Sequence, residues 1–401
     1  MSGLLVIGGG PAGLSAAAGY REAGGRDDVV ILTADVSAPY ARPPLTKDYL
    51  RGDSGAEVLP LVDDGWYTDH GVRLELSTAA TRIDPASRLV ETTDGQMYRY
   101  DRLCLCTGAA PQPMPVPGAD SPDVLLVRTR QSGDALRGLT GPGHRVAVLG
   151  SGFIGCEAAA SLSMTGASVV LITDEQTPHA ARLGTEAGRR ISAWLTETGV
   201  ELVLGDAVRQ VAPTEPGSAV VLTSGRVIHV DRVVSGGGIA PQSQLAQDAG
   251  LQMENGRVVV DSAMRTSAED VWAAGDVVWA HNDAAGRSLA VEHWGEAETM
   301  GMVAGRSAAG APEHWNKVPG FWSTIGRHTI KYAAWGDGFD TAHLVEGPDG
   351  WAVWYGLDGI TVGILTSEWD SVYDYGRDVV ERHAPVEEVV SSRRSPGRRG
   401  S

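Results

Sequence analysis

A glycine signature that follows an apolar strand and opens an alanine-rich helix occurs twice in this chain, and it constrains the fold more than any other feature. The first copy, VIGGGPAGLSAA, runs from Val6 to Ala17, and the second, VLGSGFIGCEAA, from Val148 to Ala159. Strand, Gly-x-Gly-x-x-Gly and helix in that order form a dinucleotide fingerprint. The first glycine permits a tight turn, the second lets backbone approach a pyrophosphate, and the third lets helix and strand pack closely. The helix N-terminus then offers its free N–H groups to the anion. Gly8, Gly10 and Gly13 take these parts in the first copy, with Pro11 and Ala12 between them. Gly150, Gly152 and Gly155 take them in the second. Two bound dinucleotides are expected.

Acidic residues beyond each signature distinguish the two sites. The strand VVILTAD ends at Asp35, 22 residues after Gly13, near the spacing at which a carboxylate meets a ribose 2′-hydroxyl. After the second signature SVVLITDE delivers Asp174 and Glu175, 19 and 20 residues beyond Gly155, with no Arg or Lys until Arg182. Such a pair repels a 2′-phosphate and favours NADH over NADPH. Thr173 holds the strand-end position where an acid is common, so the choice stays open. Both acids also fit as solvated loop carboxylates.

Length and charge agree with a multidomain enzyme. The 401 residues leave room for two or three domains, and the net charge of −17 argues against nucleic acid or an anionic membrane as partner. No 18-residue apolar run exists, and the N-terminal apolar stretch lacks the basic flank of a secretory leader. Cytoplasmic residence is expected. Residues 391–401, SSRRSPGRRGS, carry four arginines and read as a disordered basic tail. The ten histidines show no zinc-ligand spacing, so no metal is expected.

The order of segments predicts an α/β chain in which one Rossmann-like domain is inserted in another. Residues 1–112 and 239–317 form the first nucleotide domain, joined through Gly108 and the AAGDVV segment with Gly275 and Asp276. Residues 113–238 form the second, entered through the linker PQPMPVPG and left through GGGIAP with Gly238. Short strands from HTIKYAAW, GWAVWYG and ITVGIL, followed by a helix near Ser371–His383, predict a small C-terminal α+β domain over 318–390.

The motifs PYARPPLTK, TGAAPQPMPVPG, SGFIGCE, TSAEDVWAAGDV, VEHWGEAETMG and VPGFWS resemble a known branch of the pyridine nucleotide-disulfide oxidoreductase superfamily. That branch comprises the FAD- and NADH-dependent ferredoxin, rubredoxin and putidaredoxin reductases that feed oxygenases, and the likeness runs to about residue 385. It implies FAD in the first domain, with its pyrophosphate on Gly8, Gly10 and Gly13, its adenine ribose at Asp35 and its ribityl or phosphate region at Asp276. Arg42 and Lys47 then lie near the flavin, Trp322 covers its ring, and Glu292, His293 and Trp294 open a helix that passes it. Glu157 orients the nicotinamide amide of NADH. Lys47, Glu157 and Trp322 become the catalytic candidates.

Plainer readings stand beside these. Arg42 and Lys47 also suit a solvated loop after prolines, Glu157 an ordinary charge in a first helical turn, and His293 a packed or capping residue. Disulfide-relay flavoproteins need two cysteines beside the flavin, whereas Cys104, Cys106 and Cys156 read as packing. Thr324 and Gln112 depart from the family pattern, where aspartate and arginine are common, which bears on the acceptor. The resemblance implies hydride transfer from NADH to FAD, then single-electron release to a small acidic ferredoxin or related iron–sulfur protein. Two alternatives remain: a two-electron reductase or oxidase acting on a quinone, nitro compound or oxygen, and a nucleotide-bound redox sensor resembling apoptosis-inducing factors.

Overall fold

The strands leading into the two glycine signatures, Gly3–Ile7 and Arg145–Leu149, are buried on both faces almost throughout. Near-continuous apolar runs such as GLLVI and RVAVL belong in the middle of parallel sheets, and both strands occupy that place. In the computed structural model, which describes residues 3–391, each centres a five-stranded parallel sheet. The stretch from residue 392, read above as the basic tail, lies outside the described residues.

The chain divides into two compact units. The first draws on residues up to Ala41, on Leu59–Ala110 and on Pro241–Phe321. Its sheet runs Val271–Ala273, Arg102–Leu105, Gly3–Ile7, Asp28–Leu32, Val72–Glu75, so three distant stretches of sequence meet side by side. Helix Pro11–Glu22 connects Gly3–Ile7 to Asp28–Leu32 and packs along helix Trp294–Ala308. The approach is set by glycine. A Cβ at Gly301 or Gly305 would fall 2.2 or 2.0 Å from the carbonyl oxygens of Ala12 and Ala16, so only bare backbone permits this helix pair.

The second unit draws on Arg42–Val58, Pro111–Ala240 and the chain from Trp322. Its parallel sheet runs Glu201–Leu204, Ser168–Thr173, Arg145–Leu149, Arg232–Ser235, Val124–Leu126. A second sheet in the order Gly320–Ile325, His328–Ala334, Ile360–Ser367, Trp351–Leu357, Thr341–Glu346 is followed by helix Asp370–Glu381. The sequence reading placed Arg42–Val58 with the first nucleotide domain, yet this segment clusters with the second unit. Helix Phe153–Met164 holds it: Ser161 Oγ donates to the Thr46 carbonyl at 2.7 Å, and Arg51 Nη1 donates to Ser161 Oγ at 3.3 Å. Among the described residues no helix is long and apolar enough to cross a membrane.

Candidate active site

Both glycine signatures build the same local device. Gly8 has φ +121° and Gly150 φ +91°, a region that side chains disfavour. A Cβ on Gly8 would meet the Cys106 carbonyl oxygen at 2.1 Å, and one on Gly150 the Gly236 carbonyl oxygen at 3.0 Å. The third glycines are just as confined, since Cβ atoms on Gly13 and Gly155 would lie 1.9 and 2.3 Å from the carbonyl oxygens of Gly8 and Gly150. The middle glycines differ. Gly10 and Gly152 have ordinary φ values of −90° and −68°, and a Cβ on either would meet nothing within 4 Å. The protein itself therefore makes no demand for glycine there, whereas a pyrophosphate approaching the backbone would. Each precedes a helix, Pro11–Glu22 or Phe153–Met164, with no side-chain cap and no acid in its first turn. Free N–H groups and a positive dipole end at an open cradle suit a dinucleotide at both positions.

Around the first cradle, Pro11 and Ala12 open the helix, and Asp35 accepts hydrogen bonds from Ser37 N at 3.1 Å and Tyr40 Oη at 3.0 Å. Asp276 is buried in the turn after Gly275, whose φ is +83° and whose Cβ position lies 3.1 Å from the Cβ of Ala12. Gly108 also adopts positive φ, +67°. His293 precedes helix Trp294–Ala308 and packs its ring 4.4 Å from that of Phe321, which agrees with a packed residue at a helix start. Trp294 donates through Nε1 to Glu298 at 3.0 Å, and burial holds the Glu298 carboxyl above its ordinary pKa. Glu296, which sequence reasoning passed over, is buried one turn along. It accepts from Trp315 Nε1 at 2.9 Å and from Gly320 N at 3.2 Å, fixing the start of the FWS strand.

Beside the second cradle the two acids part company. Asp174 is exposed, whereas the Glu175 carboxylate accepts from Ser151 Oγ and from Ala181 N, both at 2.9 Å. Thr173 ends strand Ser168–Thr173, and its hydroxyl lies 3.0 Å from Ser151 Oγ. Gly238, at φ +97°, gives its carbonyl to Gln112 N at 2.9 Å. The interval without basic residues in the sequence does not keep cations away. Arg182 places its guanidinium 5.4 Å over the ring of Phe153, the first residue of the cradle helix. His179 packs against the same ring at 4.0 Å with the ring planes tilted by 31°, and burial depresses its pKa to about 3, so it is neutral. Glu175→Gln is therefore expected to lower the ratio of kcat/KM for NADH to that for NADPH about tenfold, equivalent to about 1.4 kcal/mol. Asp174→Asn should change the ratio far less. Steady-state kinetics with both nucleotides check this, and a ratio that follows Asp174 instead would count against it.

The third constellation lies within the second unit. Glu157 is the fifth residue of helix Phe153–Met164, beyond the first turn, and it is buried. Its Oε2 accepts from Lys47 Nζ and Thr46 Oγ1, each at 2.6 Å, and its Oε1 from Ser323 Oγ at 2.7 Å. Lys47 also donates to the Pro43 carbonyl at 3.0 Å. Their side chains are only 12% and 7% exposed, which excludes a solvated loop for Lys47 and an ordinary surface charge for Glu157. Arg42 precedes the short 3-10 turn Pro43–Thr46 that presents Thr46 and Lys47. Trp322, beside Ser323 on strand Gly320–Ile325, points the opposite way and is 49% exposed. Thr46 and Ser323 were visible only as letters of the PPLTK and FWS motifs.

No cysteine takes part. All three are free and buried, and burial drives the Cys106 thiol to about 12 and the other two well up, so a thiolate relay is excluded.

The chain is similar to several known reductases. The chain is 33% identical to rhodocoxin reductase of Rhodococcus erythropolis over 86% of its own length and 80% of that protein. It is 32% identical to a rubredoxin-NAD(+) reductase of Ectopseudomonas oleovorans, over 80% and 84% of the two chains. The covalent putidaredoxin reductase–putidaredoxin complex shares its fold, with a TM-score of 0.89 at 24% identity over 97% of this chain and 98% of that one. The family model for pyridine nucleotide-disulphide oxidoreductases matches residues 2–301, taking in both cradles. The chain belongs to that family and is a flavoprotein reductase that uses FAD and NADH.

Proposed function

We propose that this reductase takes electrons from NADH and delivers them singly to a small iron–sulfur protein of the ferredoxin or rubredoxin kind. When bound, the two dinucleotides supply hydride transfer and the change from two-electron to one-electron chemistry. The chain's own contribution is positioning, and the Glu157 network is the observation that carries the reading. A carboxylate offers about four acceptor positions. Lys47 and Thr46 fill those of Oε2, and Ser323 fills one of Oε1. One acceptor position remains at Oε1, suited to the N–H of a nicotinamide amide. Lys47 orients the Glu157 carboxylate in the same network. Asp35 and Asp276 serve the FAD ribose and ribityl region in this reading.

Buried cysteines leave the flavin as the point of exit, and the relatives' names supply the class of acceptor. Reduction by NADH under anaerobic conditions, followed by mixing with ferredoxins, quinones, nitro compounds or oxygen, tests the proposal. Cytochrome c should be reduced rapidly only when a ferredoxin is added, and fast turnover with small acceptors alone would overturn it. Cytoplasmic residence belongs to the same reading, since free cysteines suit a reducing compartment.

An acidic partner meets a chain of net charge −17, so steering depends on local cations. Lys331 is paired with Asp370 at 2.7 Å, whereas Arg327 is exposed at the turn between strands Gly320–Ile325 and His328–Ala334. Transfer to an acidic ferredoxin should therefore slow about threefold from low to high salt as exposed charges are screened. Arg327→Glu should slow it more than Lys331→Glu. A stopped-flow rate indifferent to salt and to both reversals would point to a neutral docking face or a small-molecule acceptor.

A further inference from the structure

Two segments assigned above to the first cofactor, the turn at Asp276 and the helix start at Glu292–Trp294, are joined by one buried cation. Arg257 opens strand Arg257–Val260 and is buried. Its Nη1 donates to the backbone carbonyl of Asp276, and its Nη2 to the carboxylate of Glu292. The strand pairing fixes this reach, since Val258, Val259 and Val260 lie opposite Val278, Trp279 and Ala280, and Val258 N donates to the Val277 carbonyl at 3.0 Å. On its other side the turn meets the first cradle, because Gly275 approaches Ala12. The Asp276 peptide is thus held between the cradle helix and Arg257.

Folding alone gives little reason for an ion pair at this position. The next three residues of the strand are valines, and the Glu292 side chain is 36% exposed, so a pair with it adds little to folding stability. A planar guanidinium, by contrast, can hold a carbonyl and a carboxylate in one fixed geometry. We propose that Arg257 is a positioning residue for FAD. It sets the Asp276 turn and the Glu292 helix start in the arrangement the cofactor needs before the cofactor binds, a preorganisation that lowers the cost of binding. The proposal rests on the reading that assigns Asp276 and Glu292 to FAD.

The test uses the purified holoenzyme. Release of FAD is followed by the rise in flavin fluorescence, and unfolding by far-UV circular dichroism, for the wild type, Arg257→Met and Arg257→Lys. Arg257→Met should release FAD at least about tenfold faster, the equivalent of one charge-assisted hydrogen bond, and at a temperature below that of unfolding. Arg257→Lys should recover only part of the loss, because an ammonium cannot fork between carbonyl and carboxylate in the same way. Release at the wild-type rate, or faster release matched by an equal loss of global stability, would overturn the proposal. If Arg257→Met does not fold, Arg257→Lys and Glu292→Gln are read by the same criteria. Asp276→Asn separates the two failures. If it releases FAD faster while Arg257→Met does not, only the role of Arg257 falls; if it has no effect, the assignment of Asp276 falls and the proposal with it.

Discussion

Valine at Gly152 is expected to give a folded, yellow protein that NADH no longer reduces, and valine at Gly10 a folded protein without FAD. The two outcomes differ only because the cradles are assigned different dinucleotides; the surroundings of the two glycines are alike. Both residues have backbone angles open to any amino acid, and a Cβ on either meets no protein atom within 4 Å. Valine in place of glycine at such a helix-start position costs about 1 kcal/mol. Folding should survive, while the added methyls occupy the approach to the helix N–H groups. Losing several charge-assisted hydrogen bonds, each worth about 1.5–3 kcal/mol, amounts to a hundredfold or more in affinity. Gly8→Val and Gly13→Val provide the contrast, because their side chains would strike carbonyl oxygens within about 2 Å and should prevent folding. Flavin absorbance of the purified variants, circular dichroism and anaerobic NADH titration read all four. A Gly152→Val protein reduced at the wild-type rate would remove the second cradle as the NADH site.

The cradles were legible because everything they need is consecutive: strand, three glycines and helix fall within about a dozen residues. Their partners were legible only in part. Asp174 and Glu175 look equivalent in sequence, and only the position of Ser151 and the Ala181 N–H selects Glu175. The Glu157 network joins Thr46 and Lys47 to a helix more than a hundred residues later and to Ser323 beyond that. Nothing in the spacing announces that three segments converge, and a serine beside a tryptophan carries no signal of its own. Arg257 is harder still, because an arginine heading a run of valines reads as a charge at a strand end until Asp276 and Glu292 are seen to meet it.

Glu157→Gln should slow reduction by NADH about a hundredfold, the scale of loss that follows a small misplacement of reacting groups, while FAD stays bound. Glutamine fits the same volume. Its amide oxygen can accept from Lys47 and Thr46, and its NH2 can donate to Ser323, whose hydroxyl is free to turn. The position left for the nicotinamide amide then becomes a donor facing a donor. Lys47→Met works differently, since it leaves the Glu157 carboxylate buried without its cation, and breaking a buried pair from one side costs about 3–5 kcal/mol. The double variant Lys47→Met/Glu157→Gln removes both charges and should recover much of that stability, so the two substitutions are non-additive with a positive sign in the thermal midpoint. Activity should not recover with it, because the amide acceptor is still missing. Stopped-flow reduction and thermal unfolding of the four proteins close the cycle. Additive midpoints would mean that Lys47 and Glu157 do not act as a pair, and a double variant as active as the wild type would mean that neither positions NADH.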